Sequence, residues 1–131
     1  MTARTDTVVP GREIALSAAR AAAAKQASDI VILDVHETIV ITDYFVICSA
    51  ASDRQTRTVV KEIEDAVREL GERPTRREGE DEGGWWLLDY IDVVVHVFGQ
   101  EEREYYDLER LWSDAPRVEW EQPESDRASS G

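Results

Sequence analysis

Asp89 and Asp92, His96, Cys48 and the adjacent Trp85 and Trp86 are the residues whose types and spacing could do chemistry in this chain. Asp89 and Asp92 bracket a bend between two apolar runs. Two carboxylates so placed could hold a divalent ion for nucleotidyl transfer. That chemistry also needs a cradle for phosphate, and Ser49-Ala-Ala-Ser52, before the next helix, has no glycine to let a phosphate approach. Acids near strand ends are also ordinary in so acidic a chain. His96 falls on one strand face with Val94 and Phe98, while Val93, Val95 and Val97 take the other. A lone histidine on such a face reads as a hydrogen-bonded structural residue, and no nucleophile stands beside it in the sequence. Cys48 alternates with Tyr44 and Val46 and reads as a small packed side chain. Trp85 and Trp86 must point to opposite faces of their strand, so one can be core and the other an anchor for a protein partner. With Leu88, Asp89 and Tyr90 they make a mixed aromatic and acidic edge, the alternative being two ordinary core aromatics beside a polar turn. The expected partner-binding residues are therefore Trp85, Leu88, Asp89, Tyr90 and Asp92. No catalytic residue, metal ligand or cofactor is assigned.

The elements that must position these residues follow from periodicity. Residues 12–27 are dense in alanine and read as a helix with a thin, weakly anchored apolar face. Residues 29–35 and 42–50 are apolar runs suited to strands with both faces covered, paired through a turn at His36–Thr38. Ser52 and Gln55 spell a capping box. The helix after it carries Val59, Ile63, Val67 and Leu70 on one face, with Val60 and Ala66 beside them, and stops at Gly71. Part of 74–78 suits an edge strand, since proline and charge are tolerated there. Residues 85–90 and 92–98 read as an antiparallel hairpin, because little more than Ile91 separates them. Residues 101–112 read as one helix whose apolar line is Tyr105, Leu108 and Trp112. The order α-β-β-α-(β)-β-β-α implies a single α/β domain, a mixed four- to five-stranded sheet flanked by helices.

Composition bounds the rest. With 131 residues the chain has room for one domain. Residues 1–11 read as a flexible tail, 12–120 as the domain and 121–131 as a disordered acidic tail. Twenty-eight acids against 15 bases give a net charge of −13, which argues against direct nucleic-acid binding and against an anionic membrane. Glu101 to Asp126 carries −7 of that excess, enough to steer the chain toward a basic surface. One cysteine excludes an internal disulfide. The absence of a long apolar run or a signal-like start sets the expectation of a cytoplasmic protein.

Taken together, several segments resemble the ribosomal silencing factor family, also called RsfS or Iojap-like. They are Asp29-Ile-Val-Ile-Leu-Asp34-Val35, Ile41-Thr-Asp-Tyr-Phe-Val-Ile-Cys48 and Ser52-x-x-Gln55. Trp85-x-Leu-Leu-Asp89-x-x-Asp92-Val-Val-Val-His96-Val-Phe98 follows, then Arg103-x-x-Tyr106-x-Leu108-Glu109-x-Leu111-Trp112. The resemblance spans roughly residues 12–112. It implies a fold related to nucleotidyltransferases without their activity, and a homodimer when free. It further implies binding to protein fourteen of the large ribosomal subunit, on the face where the small subunit docks. Joining would then be blocked and translation repressed under nutrient limitation. An organellar branch of the family acts in ribosome assembly, so a large-subunit assembly factor is the alternative, with a metal-dependent nucleotidyltransferase behind it. Where the family usually has glycine before the second hairpin acid, this chain has Ile91, which implies a wider turn or an added apolar contact.

Overall fold

A computed structural model of the chain describes residues 9–38, 41–79 and 84–121, except the side chains of 109 and 111. Most of the tail expected at 1–11 and nearly all of that at 121–131 lie outside the described residues. Helix α1 (Gly11–Ala24) leads into β1 (Ser28–Asp34) and β2 (Tyr44–Ala50). Helix α2 (Asp53–Glu69) is followed by β3 (Arg76–Glu78), β4 (Trp85–Asp89) and β5 (Val93–Gly99). Two short helices close the series, α3 (Gln100–Tyr106) and α4 (Leu108–Leu111).

The five strands form one mixed sheet in the order β1-β2-β5-β4-β3. The two expected antiparallel pairs are present, β1 with β2 and β4 with β5. They join through a central parallel pair, β2 with β5, in which Val46 lies opposite Val95. That pairing buries both strands on both faces, and it explains why their sequences run apolar without alternation. β3 lies at the exposed edge. It is tied to the helix layer where Arg77 donates to Glu64 at 2.7 Å and lies over the Trp86 ring at 5.0 Å.

Helices α1 and α2 cover one face. In α1, Ile14, Ala15, Ala18, Ala19, Ala21 and Ala22 are all buried. The helix is therefore firmly anchored, contrary to the expectation from its thin apolar face. Methyl side chains let its backbone approach the sheet closely, so burial is complete although each residue contributes little area. In α2, the buried set is Thr56, Val59, Val60, Ile63 and Val67, the expected stripe. Its cap is the expected box with one change. The Ser52 hydroxyl accepts from the Gln55 backbone N–H at 3.1 Å, but the Gln55 carbonyl oxygen takes the N–H of Ala51 at 2.7 Å. The Gln55 amide then donates to the carbonyls of Lys25 and Gln26, which ties the end of α1 to the start of α2.

The opposite face holds a second core of Val31, Leu33, Val35, Phe45, Ile47 and Phe98, with Trp85, Val94, Leu108, Trp112 and Ala115 packed on it. The expected helix over 101–112 is broken here. Asp107 takes a left-handed conformation at φ 44° and separates α3 from α4. Beyond α4 the chain turns along the open edge of β1. Asp34 donates to the carbonyl of Pro116 at 2.8 Å, Val118 to that of Ile32 at 2.9 Å, and the Trp120 indole to that of Ile30 at 3.1 Å. This strap covers an edge that would otherwise present unpaired backbone groups.

Candidate functional site

The pleat of β4 sorts the expected partner-binding residues. Trp86 and Leu88, and Tyr90 beyond the strand end, turn toward the helices; Leu88 is 0% and Tyr90 6% exposed. Neither can offer an apolar anchor, because both are committed to the helix-side core. Burial also pushes the Tyr90 phenol up from its ordinary pKa. Trp85, Leu87 and Asp89 take the opposite, outer face and are half-buried. Of the five expected residues, the structure therefore leaves Trp85, Asp89 and Asp92 at the surface.

Trp85 is held by aromatic neighbours and one polar contact. Its ring lies 5.2 Å from Phe98 and 4.5 Å from Tyr106. Its indole N–H donates to Nδ1 of His96 at 3.2 Å. His96 is buried, with the Phe45 ring edge-on at 5.1 Å. Burial pushes its pKa down to about 4, so it is neutral at pH 7, only a weak base, and carries no imidazolium proton to donate. The indole N–H is thus already committed, and what Trp85 leaves exposed is ring surface. Cys48 is fully buried and its thiol is pushed up to about 12, which leaves no thiolate at neutral pH.

Two exposed tyrosines lie outside the expected partner-binding set. A continuous helix would have placed Tyr105 on the apolar line with Leu108 and Trp112. The break at Asp107 turns it outward instead, and Tyr105 is 82% exposed. Tyr106 lies against Trp85 and is 42% exposed. Tyr105 meets Tyr106 edge-on at 5.0 Å, so the three rings form one continuous ledge. The signal for it was Asp107 itself, because aspartate is one of the few non-glycine residues that enter the left-handed region readily.

At the other end of β4 the turn is tight, not widened. Tyr90 donates to the Val93 carbonyl at 2.8 Å, and Asp92 donates to the Tyr90 carbonyl at 2.9 Å. Asp89 accepts the Ile91 N–H at 2.8 Å. The Asp89 carboxylate therefore serves the turn, and Asp92 points to solvent. No group of three or more His, Cys, Asp or Glu able to hold a metal occurs among the described residues.

What remains is a ledge of aromatic rings on the outer face of a mixed α/β sheet, with Asp89 and Asp92 at the far end of the same hairpin. The chain belongs to the ribosomal silencing factor family. The profile described as "Ribosomal silencing factor during starvation" (RsfS) matches residues 10–131. The chain is 48% identical over 99 residues to the ribosomal silencing factor RsfS of Bacillus subtilis, covering 76% of this chain and 84% of that one. It is 34% identical over 92 residues to the mouse protein named "Mitochondrial assembly of ribosomal large subunit protein 1", covering 68% of this chain and 40% of that one. A crystal structure from Chromobacterium violaceum superposes with a TM-score of 0.76 at 30% identity, covering 80% of this chain and 88% of the other. A second, from Bacillus halodurans, gives 0.71 at 37% identity over 82% and 98%.

Proposed function

We propose that this chain binds the large ribosomal subunit through its protein fourteen and excludes the small subunit sterically, repressing translation when nutrients are scarce. The observation that carries the reading is the ledge of Trp85, Tyr106 and exposed Tyr105, with Asp89 and Asp92 at the far end of the same hairpin. Aromatic anchors with carboxylates suit a basic protein surface better than RNA, whose phosphates the net charge of −13 would repel. An interface of standard size needs about 800 Å² per partner, which a domain this small can supply. No chemistry is required, since blocking is a competition of affinities. The relatives named as silencing factors support this reading. In this reading the chain works in the cytoplasm, pairs as a homodimer when free, and uses a nucleotidyltransferase-like fold for binding alone.

A second reading, a large-subunit assembly factor, is favoured by the name of the mouse relative. Sedimentation separates the two. Purified subunits are mixed with the chain before joining, and both the chain and the joined-ribosome peak are followed. Silencing predicts that the chain travels with the large subunit and the joined peak shrinks. Assembly predicts that it travels with the large subunit while joining proceeds. A chain that stays at the top of the gradient overturns both. Tyr105→Ala is the cleanest probe of the ledge, because so exposed a ring contributes little to the fold; it should weaken binding about tenfold.

A further inference from the structure

Ile91 is the one described residue that combines a β-branched side chain with a left-handed backbone, at φ 77°. Such a residue is strained there, because its Cβ crowds the backbone, and two-residue hairpin turns normally give this position to glycine. The strain is held in place by three hydrogen bonds: Asp89 accepting from the Ile91 N–H, Asp92 donating to Tyr90, and Tyr90 donating to Val93. The side chain returns little in packing, since it is 57% exposed. A second large apolar side chain lies at the same end of the sheet. Ile41 is 82% exposed and precedes Thr42 and Asp43, and the N–H groups of Asp43 and Tyr44 both donate to the carbonyl of Asp92. Three acids, Asp43, Asp89 and Asp92, belong to the same end of the sheet, Asp89 through its bond to the Ile91 N–H and Asp43 through its bond to the Asp92 carbonyl.

We propose that the turn holds Ile91 out, at the same end of the sheet as exposed Ile41, as an apolar contact for a protein partner whose docking surface is a small apolar spot flanked by Lys or Arg. Charge complementarity chooses this occupant. A second copy of the chain would bring its own acidic tip against these carboxylates, and a nucleic acid would bring phosphates. The proposal rests on the reading that the β4 hairpin docks on the large subunit, and it extends the contact from the Trp85 ledge to the opposite end of the hairpin.

The test compares the full chain with Ile91→Gly and Ile91→Ala, measuring the Kd for purified large subunits and the midpoint of thermal unfolding. Glycine relieves the left-handed strain and removes the apolar contact, so it should raise Tm by about 4 °C while raising Kd at least fivefold. Alanine keeps a Cβ at positive φ, so Tm should rise less while Kd rises equally. Opposite signs for stability and binding are what a merely structural role would not produce. A glycine variant with unchanged Kd overturns the proposal, and so does one with a lowered Tm. If the unsubstituted chain does not bind the subunit, the underlying reading fails first and takes the proposal with it. If glycine instead converts a dimer to a monomer at unchanged Kd, the tip is a contact between copies and the proposal is wrong.

Discussion

At the residue scale, His96 shows how burial removes a titratable group from chemistry. Its Nδ1 holds the Trp85 indole, and its Nε2 has no hydrogen-bond partner among the described residues. Because the folded state lowers the pKa from 6.5 to about 4, the unfolded chain binds the proton more readily between those values. The His96 contribution to stability should be constant above pH 6.5, fall by about 3 kcal/mol as pH drops toward 4, and level off below that. Denaturation midpoints across this range should show the slope in the parent chain and lose it in His96→Phe. A flat profile in the parent would show that the ring is not buried neutral. Cys48 makes a companion case. With its thiol raised to about 12 in the helix-side core, it should resist a thiol reagent at pH 8 in the native chain and react once in urea.

At the scale of elements, close approach of α1 to the sheet depends on its alanines. Ala22 is 0% exposed and lies in the helix-side core. Ala22→Leu would have to force the helix outward, at about 1–3 kcal/mol of stability, although it raises helix hydrophobicity. Chemical denaturation should show that loss, and a more stable variant would mean that the helix has slack. The start of α2 carries a cap of comparable weight. Removing the Ser52 hydroxyl leaves the Gln55 N–H without its acceptor, so Ser52→Ala should cost about 1 kcal/mol by the same measurement. The surface ion pairs of α2, such as Lys61 with Asp65 at 3.0 Å, are exposed and should contribute far less.

At the scale of the molecule, charge and edges decide behaviour. A chain of net −13 should associate with a basic partner by a salt-sensitive route. Raising ionic strength from 0.05 to 0.5 M should slow association with the large subunit about tenfold or more while changing dissociation much less. Stopped-flow kinetics would read this directly, and a salt-independent rate would place binding on the apolar ledge alone. The same acidity argues for protected sheet edges. β3 leaves one edge short and charged, and the 116–120 strap closes the other over β1.

By itself the sequence determined most of the local structure and the family. Period-2 alternation put Trp85 and Trp86 on opposite faces, and separated Val93, Val95 and Val97 from Val94, His96 and Phe98, as the two cores show. The spacing of Val59, Ile63 and Val67 located the buried stripe of α2. Three things needed the tertiary structure. The parallel pairing of β2 with β5 joins strands more than 40 residues apart, and no local pattern encodes which long-range partner a doubly buried strand takes. The faces of Leu88 and Tyr90 follow from which side of β4 the helices cover, so two residues expected at the partner edge are core instead. The tyrosine ledge and the Ile91 turn each depend on a single left-handed residue, at Asp107 and at Ile91. One backbone angle resets how the segments on its two sides are oriented relative to each other, and hydrophobic periodicity, which averages over several residues, does not register so local a change.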